Sequence, residues 1–304
     1  MKNLNNKKRS VINQITDFDI KLIRLFKTVV ECGSYTATEP VLGITKSAIS
    51  LQMSDLEKRL NMKLCHRGRG GITLTDEGEA VLESADILLA SVEQFRNDVN
   101  QINNELRGEL NIALVNNLVT QPHMKITQAL KHIRQMSEKI NINITMSTPA
   151  DIEKGLIDGR FHVGAFPANN QSNNFDYRTL YNESYYLYCS NEHPFFGEGD
   201  HDTESLKQTN SVITRHRMSP EVTDLYQKLK CTATASDHEG ITFLILTGTY
   251  IGFLPQHYAD YWCNKGQMRP LFPDTFQFSS DISLVTRSGL KHNQIINKFL
   301  EIIE

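Results

Sequence analysis

Eight apolar residues, Val81, Ala85, Leu88, Val92, Phe95, Val99, Ile102 and Leu106, recur at alternating intervals of four and three. That spacing gathers them onto one side of an α-helix, as a coiled-coil seam does. Neither Pro nor Gly interrupts Glu79 to Arg107, so the predicted helix is about 28 residues and roughly 42 Å long at 1.5 Å per residue. From Asp76 to Leu106 there are eight acidic residues and one basic residue, Arg96. A rod with one apolar stripe must have that stripe covered. A second copy of the chain is the simplest cover, and the core of the helix's own domain is the alternative.

The segment before the rod has the opposite charge. Ile44 to Thr73 carries Lys46, Lys58, Arg59, Lys63, Arg67 and Arg69 against Asp55 and Glu57, a local basic patch in a chain whose net charge is only -3. Within it Ile49, Met53, Leu56 and Leu60 share one helical face, with Ser47, Leu51, Ser54 and Lys58 almost opposite. The outer face is small and hydroxylic near its N-terminus, a shape that enters a DNA major groove and offers hydrogen bonds to base edges. Asp17 or Asp19 can cap a first helix ending at Gly33, Ser34 a second and Thr45 the third. Leu64–Arg67 and Ile72–Leu74 then read as two short strands joined by Gly68-Arg69-Gly70-Gly71. Three helices and such a hairpin make a winged helix-turn-helix. The glycine run lacks the Lys-Ser/Thr of a phosphate-cradling loop, so it reads as a tight turn.

The remainder of the 304 residues is long enough for further hydrophobic cores. Leu110–Val115, Ile140–Met146 and Phe161–Phe166 read as strands separated by helices near Met124–Ser137 and Ile152–Asp158, a pattern that implies a parallel α/β sheet. A second set follows: strands at Tyr185–Cys189, Val212–Thr214, Cys231–Ala235 and Tyr250–Leu254, with a helix at His238–Leu246. The chain returns through Ile282–Thr286 to a last helix, His292–Ile303. Two lobes crossed twice, near Tyr185 and near Ser283, suggest a hinged receptor with its site in the cleft. Asn116, Asn117 and Thr120 follow the first strand, Thr148 the second, and Thr214-Arg215-His216 a strand of the other lobe. Residues at such strand ends face a cleft in α/β folds. Arg215 would add a full positive charge, so a small polar ligand is expected, with an anion among the candidates.

Other classes find little support. Five widely spaced cysteines without a CxxC pair read as free thiols in a reducing compartment. The basic N-terminus is followed by no apolar signal run, and Ile241–Leu254 is too short to span a bilayer. A cytoplasmic protein without a membrane partner is expected. Ten histidines form no HExxH and no paired spacing with cysteine, and GxSxG, GxGxxG and GxxxxGK[ST] are absent. No metal, other cofactor or catalytic residue is therefore expected, and an enzyme using the cleft is the weak alternative.

Several blocks resemble the LysR-type transcriptional regulators: Gly33-Ser34-Tyr35-Thr36, Thr45 with Ala48-Ile49-Ser50, Leu56-Glu57-Lys58-Arg59-Leu60, Leu64, Arg67 and Leu74-Thr75-Asp76-Glu77-Gly78. Gly248-Thr249-Tyr250-Ile251-Gly252-Phe253-Leu254-Pro255 resembles the family's late effector-domain motif. The resemblance runs from about Asp19 to the C-terminus. It implies an α/β protein with a winged helix-turn-helix, a dimerising linker helix and a two-lobed effector domain of the periplasmic-binding-protein type II kind, as a homodimer or homotetramer. The expected divisions are a loose arm at 1–16, the DNA-binding domain at 17–75, the linker at 76–107 and the effector domain at 108–304. Within the last, lobe I covers about 108–184 and 281–304, and lobe II about 185–280.

Carried onto this chain, the resemblance places Thr36 on a phosphate and Lys46, Ser47 and Ser50 toward bases. Thr45, Leu51 and Ser54 complete the candidate helix surface, and Arg67 and Arg69 would meet the backbone or minor groove from the wing. Thr38-Glu39 stand where the family usually has two alanines, Pro40 is expected to stop the second helix early, and Leu51 stands where arginine is common, favouring an apolar contact such as a thymine methyl. The implied partners are a partly palindromic promoter, a small effector and a second copy of the chain, with RNA polymerase a further candidate. A DNA-organising protein without ligand control is the competing reading. Ser50→Ala should weaken specific operator binding more than nonspecific binding, whereas Arg67→Ala should reduce both and flatten the salt dependence; equal losses on both DNAs in a salt titration would contradict these roles.

Overall fold

The computed structural model describes residues 14–68, 71–102, 106–123, 125–168, 171–197, 202–215, 218–289 and 294–303. Most of the expected arm, Arg69 in the wing turn and His216 lie outside the described residues. The chain forms two compact units, Met1–Arg96 and Asn97–Glu304.

The first unit begins with helix α1 (Asp17–Cys32). Its cap is Thr16 rather than Asp17 or Asp19: Asp19 accepts hydrogen bonds from the Thr16 backbone N–H at 2.8 Å and its hydroxyl at 2.7 Å, closing a capping box. The same carboxylate receives the Arg59 guanidinium through Nε and through Nη2 at 2.8 Å. Helix α2 (Tyr35–Leu42) is capped by Ser34, and α3 (Lys46–Leu60) by Thr45. Contrary to expectation, α2 runs two residues past Pro40. Proline removes only the bond to the Thr36 carbonyl, an exposed residue where water can substitute, and the Gly43 N–H still closes on the Glu39 carbonyl at 2.8 Å.

Ile49, Met53 and Leu56 are fully buried with Leu22, Phe26, Val29 and Leu64, as the sequence periodicity requires. Strands β1 (Cys65–Gly68) and β2 (Gly71–Leu74) form the antiparallel wing. The Ile72 N–H bonds to the Gly33 carbonyl at 3.0 Å, and a Cβ on Gly71 would lie 2.7 Å from that oxygen, so only glycine permits the close approach. Thr75 joins the wing to α4 (Asp76–Ile102): its hydroxyl donates to the Lys63 carbonyl at 2.6 Å and accepts from the Gly78 N–H at 2.9 Å. Gly78 has no room for a side chain either, since a Cβ would fall 2.1 Å from the Leu64 carbonyl oxygen.

The second unit contains one mixed sheet. Strands β3 (Gly108–Leu114), β4 (Ile140–Met146) and β5 (Val163–Pro167) are parallel, with α5 (Lys125–Met136) and α6 (Pro149–Ile157) as crossovers. Strand β6 (Phe175–Ser190) is one element, where the sequence reading recognised only its part from Tyr185. Polar positions from Tyr177 to Thr179 and from Asn182 to Ser184 break the apolar signal. Lobe II adds β7 (Asn210–Thr214), α7 (Pro220–Gln227), β8 (Lys230–Ala235), α8 (His238–Leu246), β9 (Ile251–Pro255), α9 (Gln256–Cys263) and β10 (Met268–Leu271). Strand β11 (Gln277–Arg287) then returns to lobe I beside β6, and α10 (Gln294–Ile303) closes that lobe.

Each lobe has its own core. In lobe I, Ile126, Ala129 and Ile133 meet Phe299 and Leu300 over β3, while Ile152 and Leu156 cover the other sheet face. Lobe II packs Leu225 and Tyr226 with Phe253 on one side and Ile241 and Ile245 with Tyr188 on the other.

The Arg59 guanidinium holds the Asp19 carboxyl well below the usual carboxylate range. A lowered folded-state pKa contributes stability above the unfolded value of about 3.9 and loses it as pH falls. Asp19→Ala should therefore cost roughly 1 kcal/mol or more at pH 7, the usual value of a helix-capping device, and the gap to the parent in thermal unfolding should narrow below about pH 4.

Candidate nucleic-acid interface and effector cleft

Thr36, Thr45, Lys46, Ser47 and Leu51 are exposed on the first unit, and Ser50 and Ser54 are half-buried. Leu51 is 62% exposed, as single surface leucines commonly are, which leaves it open to an apolar contact. Thr45 serves two purposes: its hydroxyl accepts from the Ala48 N–H at 3.3 Å and lies 3.0 Å from the Ser47 hydroxyl. Glu39, marked by the sequence only as a departure, has its Oε1 2.6 Å from the Lys46 backbone N–H. A side chain of α2 thus satisfies an N-terminal donor of α3 and places a carboxylate beside the helix end where positive partial charge collects. Arg67 lies on β1, and its side chain is outside the described set.

The seam residues of α4 have different surroundings. Val81 packs against the head core and Ala85 is buried. Lys27 grips Asp86 at 2.7 Å, and Arg24 lies 3.6 Å from Glu93, so two acids one heptad apart face α1. Leu88 and Val92 are half-buried, Phe95 is 70% exposed and Val99 39%. Leu106 packs against the lobe I core, and the Ile102 side chain is outside the described set. The head core therefore takes the start of the seam and the lobe I core its last residue, Leu106, while Phe95 and Val99 stay exposed.

Between the lobes lies a cavity of about 1030 Å³. Asn116, Asn117, Thr148, Thr214 and Arg215 all line it. Thr120 does not; its hydroxyl lies 2.7 Å from His257 Nδ1, within the contact between the lobes. Three helices begin at the cavity wall: Thr148 caps α6, Ser219 caps α7 and Asp237 caps α8, each accepting a hydrogen bond from its own helix. Their N-terminal ends favour an anionic group.

Deeper in, the sequence reading missed the main polar group. Glu183 on β6 is 3% exposed and lines the cavity. Its Oε2 accepts from the Tyr185 hydroxyl at 2.8 Å, while Gln121 Nε2 and His257 Nε2 both reach Oε1, the latter at 2.9 Å. Burial alone would raise the Glu183 carboxyl, but the hydrogen bonds from His257, Tyr185 and Gln121 outweigh it and hold the pKa below the ordinary value. Burial pushes Tyr185 up, which keeps it a neutral donor. Asn117 Nδ2, at a left-handed φ of 73°, lies 2.9 Å from His238 Nδ1. Three residues of one lobe I turn, Asn117, Thr120 and Gln121, thus bridge to two histidines on the lobe II helices α8 and α9.

Family models match both units: one described as bacterial regulatory helix-turn-helix protein, lysR family, over residues 20–79, and one described as LysR substrate binding domain over 103–304. The HTH-type transcriptional activator BauR of Pseudomonas aeruginosa is 46% identical over 294 residues, 96% of each chain. Full-length CbnR complexed with its target DNA superposes with a TM-score of 0.66 at 19% identity, covering 93% of this chain and 98% of that one. The Vibrio cholerae virulence activator AphB gives 0.57 at 20% identity, covering 93% and 98%. At such identities the last two show the shared fold. Among the described residues, no helix is long and apolar enough to cross a membrane, and no group of three or more His, Cys, Asp or Glu could hold a metal ion.

Gln121→Ala would leave the buried Glu183 short of one donor. A cost of about 1–3 kcal/mol is expected for that loss, read as a fall in the unfolding midpoint, whereas an unchanged midpoint would mean that the contact carries no stability.

Proposed function

The chain belongs to the LysR family of DNA-binding transcriptional regulators, and from that premise we propose how its parts act together. The recognition surface is the outer face of α3, Thr45 to Ser54, supported by Thr36 and by Arg67 and Arg69 of the wing. It reads one half of a partly palindromic promoter site. Two heads are presented at once by pairing of the α4 seam, on which Phe95 and Val99 are exposed apolar side chains. Because the separation of the recognition helices follows from that pairing, the linker sets the half-site spacing. RNA polymerase and a tetrameric state extend the same reading.

The observation that carries effector control is the 1030 Å³ cavity between two separately cored lobes, lined from both sides. A small polar molecule bound there bridges Asn116, Asn117 and Thr148 of one lobe and Thr214 and Arg215 of the other. It changes promoter binding only if it prefers one lobe arrangement over another. Footprinting with and without the effector tests this; a ligand that alters neither footprint nor bending refutes it. The DNA-organising alternative requires a head that ignores every cleft ligand.

Phe95→Asp combined with Val99→Asp should convert the protein to monomers in sedimentation and weaken operator binding by about 10²-fold or more, the usual return from joining two modules. A variant that stays dimeric would place the interface elsewhere.

A further inference from the structure

The charges lining the cleft do not match a purely anionic ligand. Among the described lining residues the carboxylates are Glu153, Glu183 and Asp237, against Arg215 as the lysine or arginine, two more acids than strong bases. Arg215 is exposed, with Nε 3.3 Å from the Thr234 hydroxyl. The most deeply placed charge is instead the Glu183 carboxylate. Its recorded partners are a hydroxyl, an amide and an imidazole. No lysine or arginine pairs with it among the described residues, and Oε2 accepts a single recorded bond, from Tyr185, leaving it room for another donor. Beside it the Tyr185 and Phe278 rings stack at 4.6 Å, and both line the cavity. A carboxylate next to aromatic faces in a low-dielectric recess is an environment that attracts a cation. The three helix N-termini and Arg215 supply the opposite preference elsewhere on the same wall.

We infer that the effector is a small zwitterion of the amino-acid class, with its ammonium group on Glu183 against the Tyr185–Phe278 pair and its carboxylate toward the helix N-termini and Arg215. The assignment rests on the reading of the cleft as the effector site. The ammonium donates to the open side of Glu183 Oε2, so the contact with Tyr185 need not break. Glu183 also holds Gln121 and His257, which join the two lobes, so the ammonium engages the group through which they are already connected.

The test is calorimetric titration of the full-length protein with the twenty α-amino acids and the straight-chain ω-amino acids of two to six carbons. Each binder is then compared with its N-acetyl derivative and its deaminated acid. At least one zwitterion should bind, and losing the ammonium should weaken it about 10-fold or more, as expected for a charge-assisted hydrogen bond. In Glu183→Gln that discrimination should collapse, with the zwitterion and its N-acetyl form within about 3-fold of each other. Ser147→Trp, which fills the cavity from lobe I, should abolish binding of both. The inference is overturned if no amino acid binds, if the deaminated acids bind as well as the zwitterions, or if Glu183→Gln keeps the preference. Should Glu183→Gln not fold, the comparison of derivatives on the parent protein decides alone. Binding that survives Ser147→Trp overturns the cleft reading itself, whereas binding lost there without any ammonium preference removes only the zwitterion.

Discussion

The pairing of β6 with β11 is the interaction on which the effector unit depends. These two strands run antiparallel from Phe175 and Arg287 in lobe I to Tyr186 and Gln277 in lobe II, and both lobes attach their other strands to them. The ladder is irregular at one place, where Leu180 is an extra residue opposite the Ile282–Ser283 step. An extra residue bends a strand and increases its local twist. Leu180 belongs to the lobe I core, so the irregularity is fixed by packing on that side, and Glu183 lies three residues further along β6. The fold therefore places an ionised side chain at the floor of the cleft because β6 and β11, which both lobes share, pass there.

The head depends on a smaller version of the same logic. Asp19 completes the capping box of α1 while gripping Arg59 near the end of α3, and Glu57 accepts the Leu64 and Cys65 N–H groups at 3.0 and 3.4 Å, tying the wing to α3. Short polar contacts set the angles between elements, and the apolar core of Leu22, Phe26, Ile49 and Met53 resists their separation.

Periodic features were legible in the sequence, and features assembled from distant segments were not. The face of Ile49, Met53 and Leu56 follows from helical spacing alone, and Thr148, Thr214 and Arg215 reach the cleft because strand ends do so in α/β folds. Gln121 and His257 meet Glu183 across 62 and 74 residues, a proximity that no local pattern encodes. The polar run around Glu183 even hid the strand that carries it. Thr120 follows the same strand as Asn116 and Asn117, but the 3-10 turn from Leu118 to Thr120 directs its hydroxyl to His257. The heptad period of the seam is plain in the sequence, yet period alone does not say that Val81 and Leu106 pack against two different cores.

The double use of Asp19 also sets a boundary for anyone shortening the protein. Thr16 supplies the hydroxyl and backbone N–H that complete the carboxylate's coordination, and Asp19 in turn steadies the far end of the recognition helix through Arg59. A fragment beginning at Phe18 would keep every apolar residue of the head core and yet lose the Thr16 donors that steady Asp19 against α3. The shortest head that keeps this clasp therefore begins no later than Thr16, six residues before Leu22, the first fully buried side chain of the core.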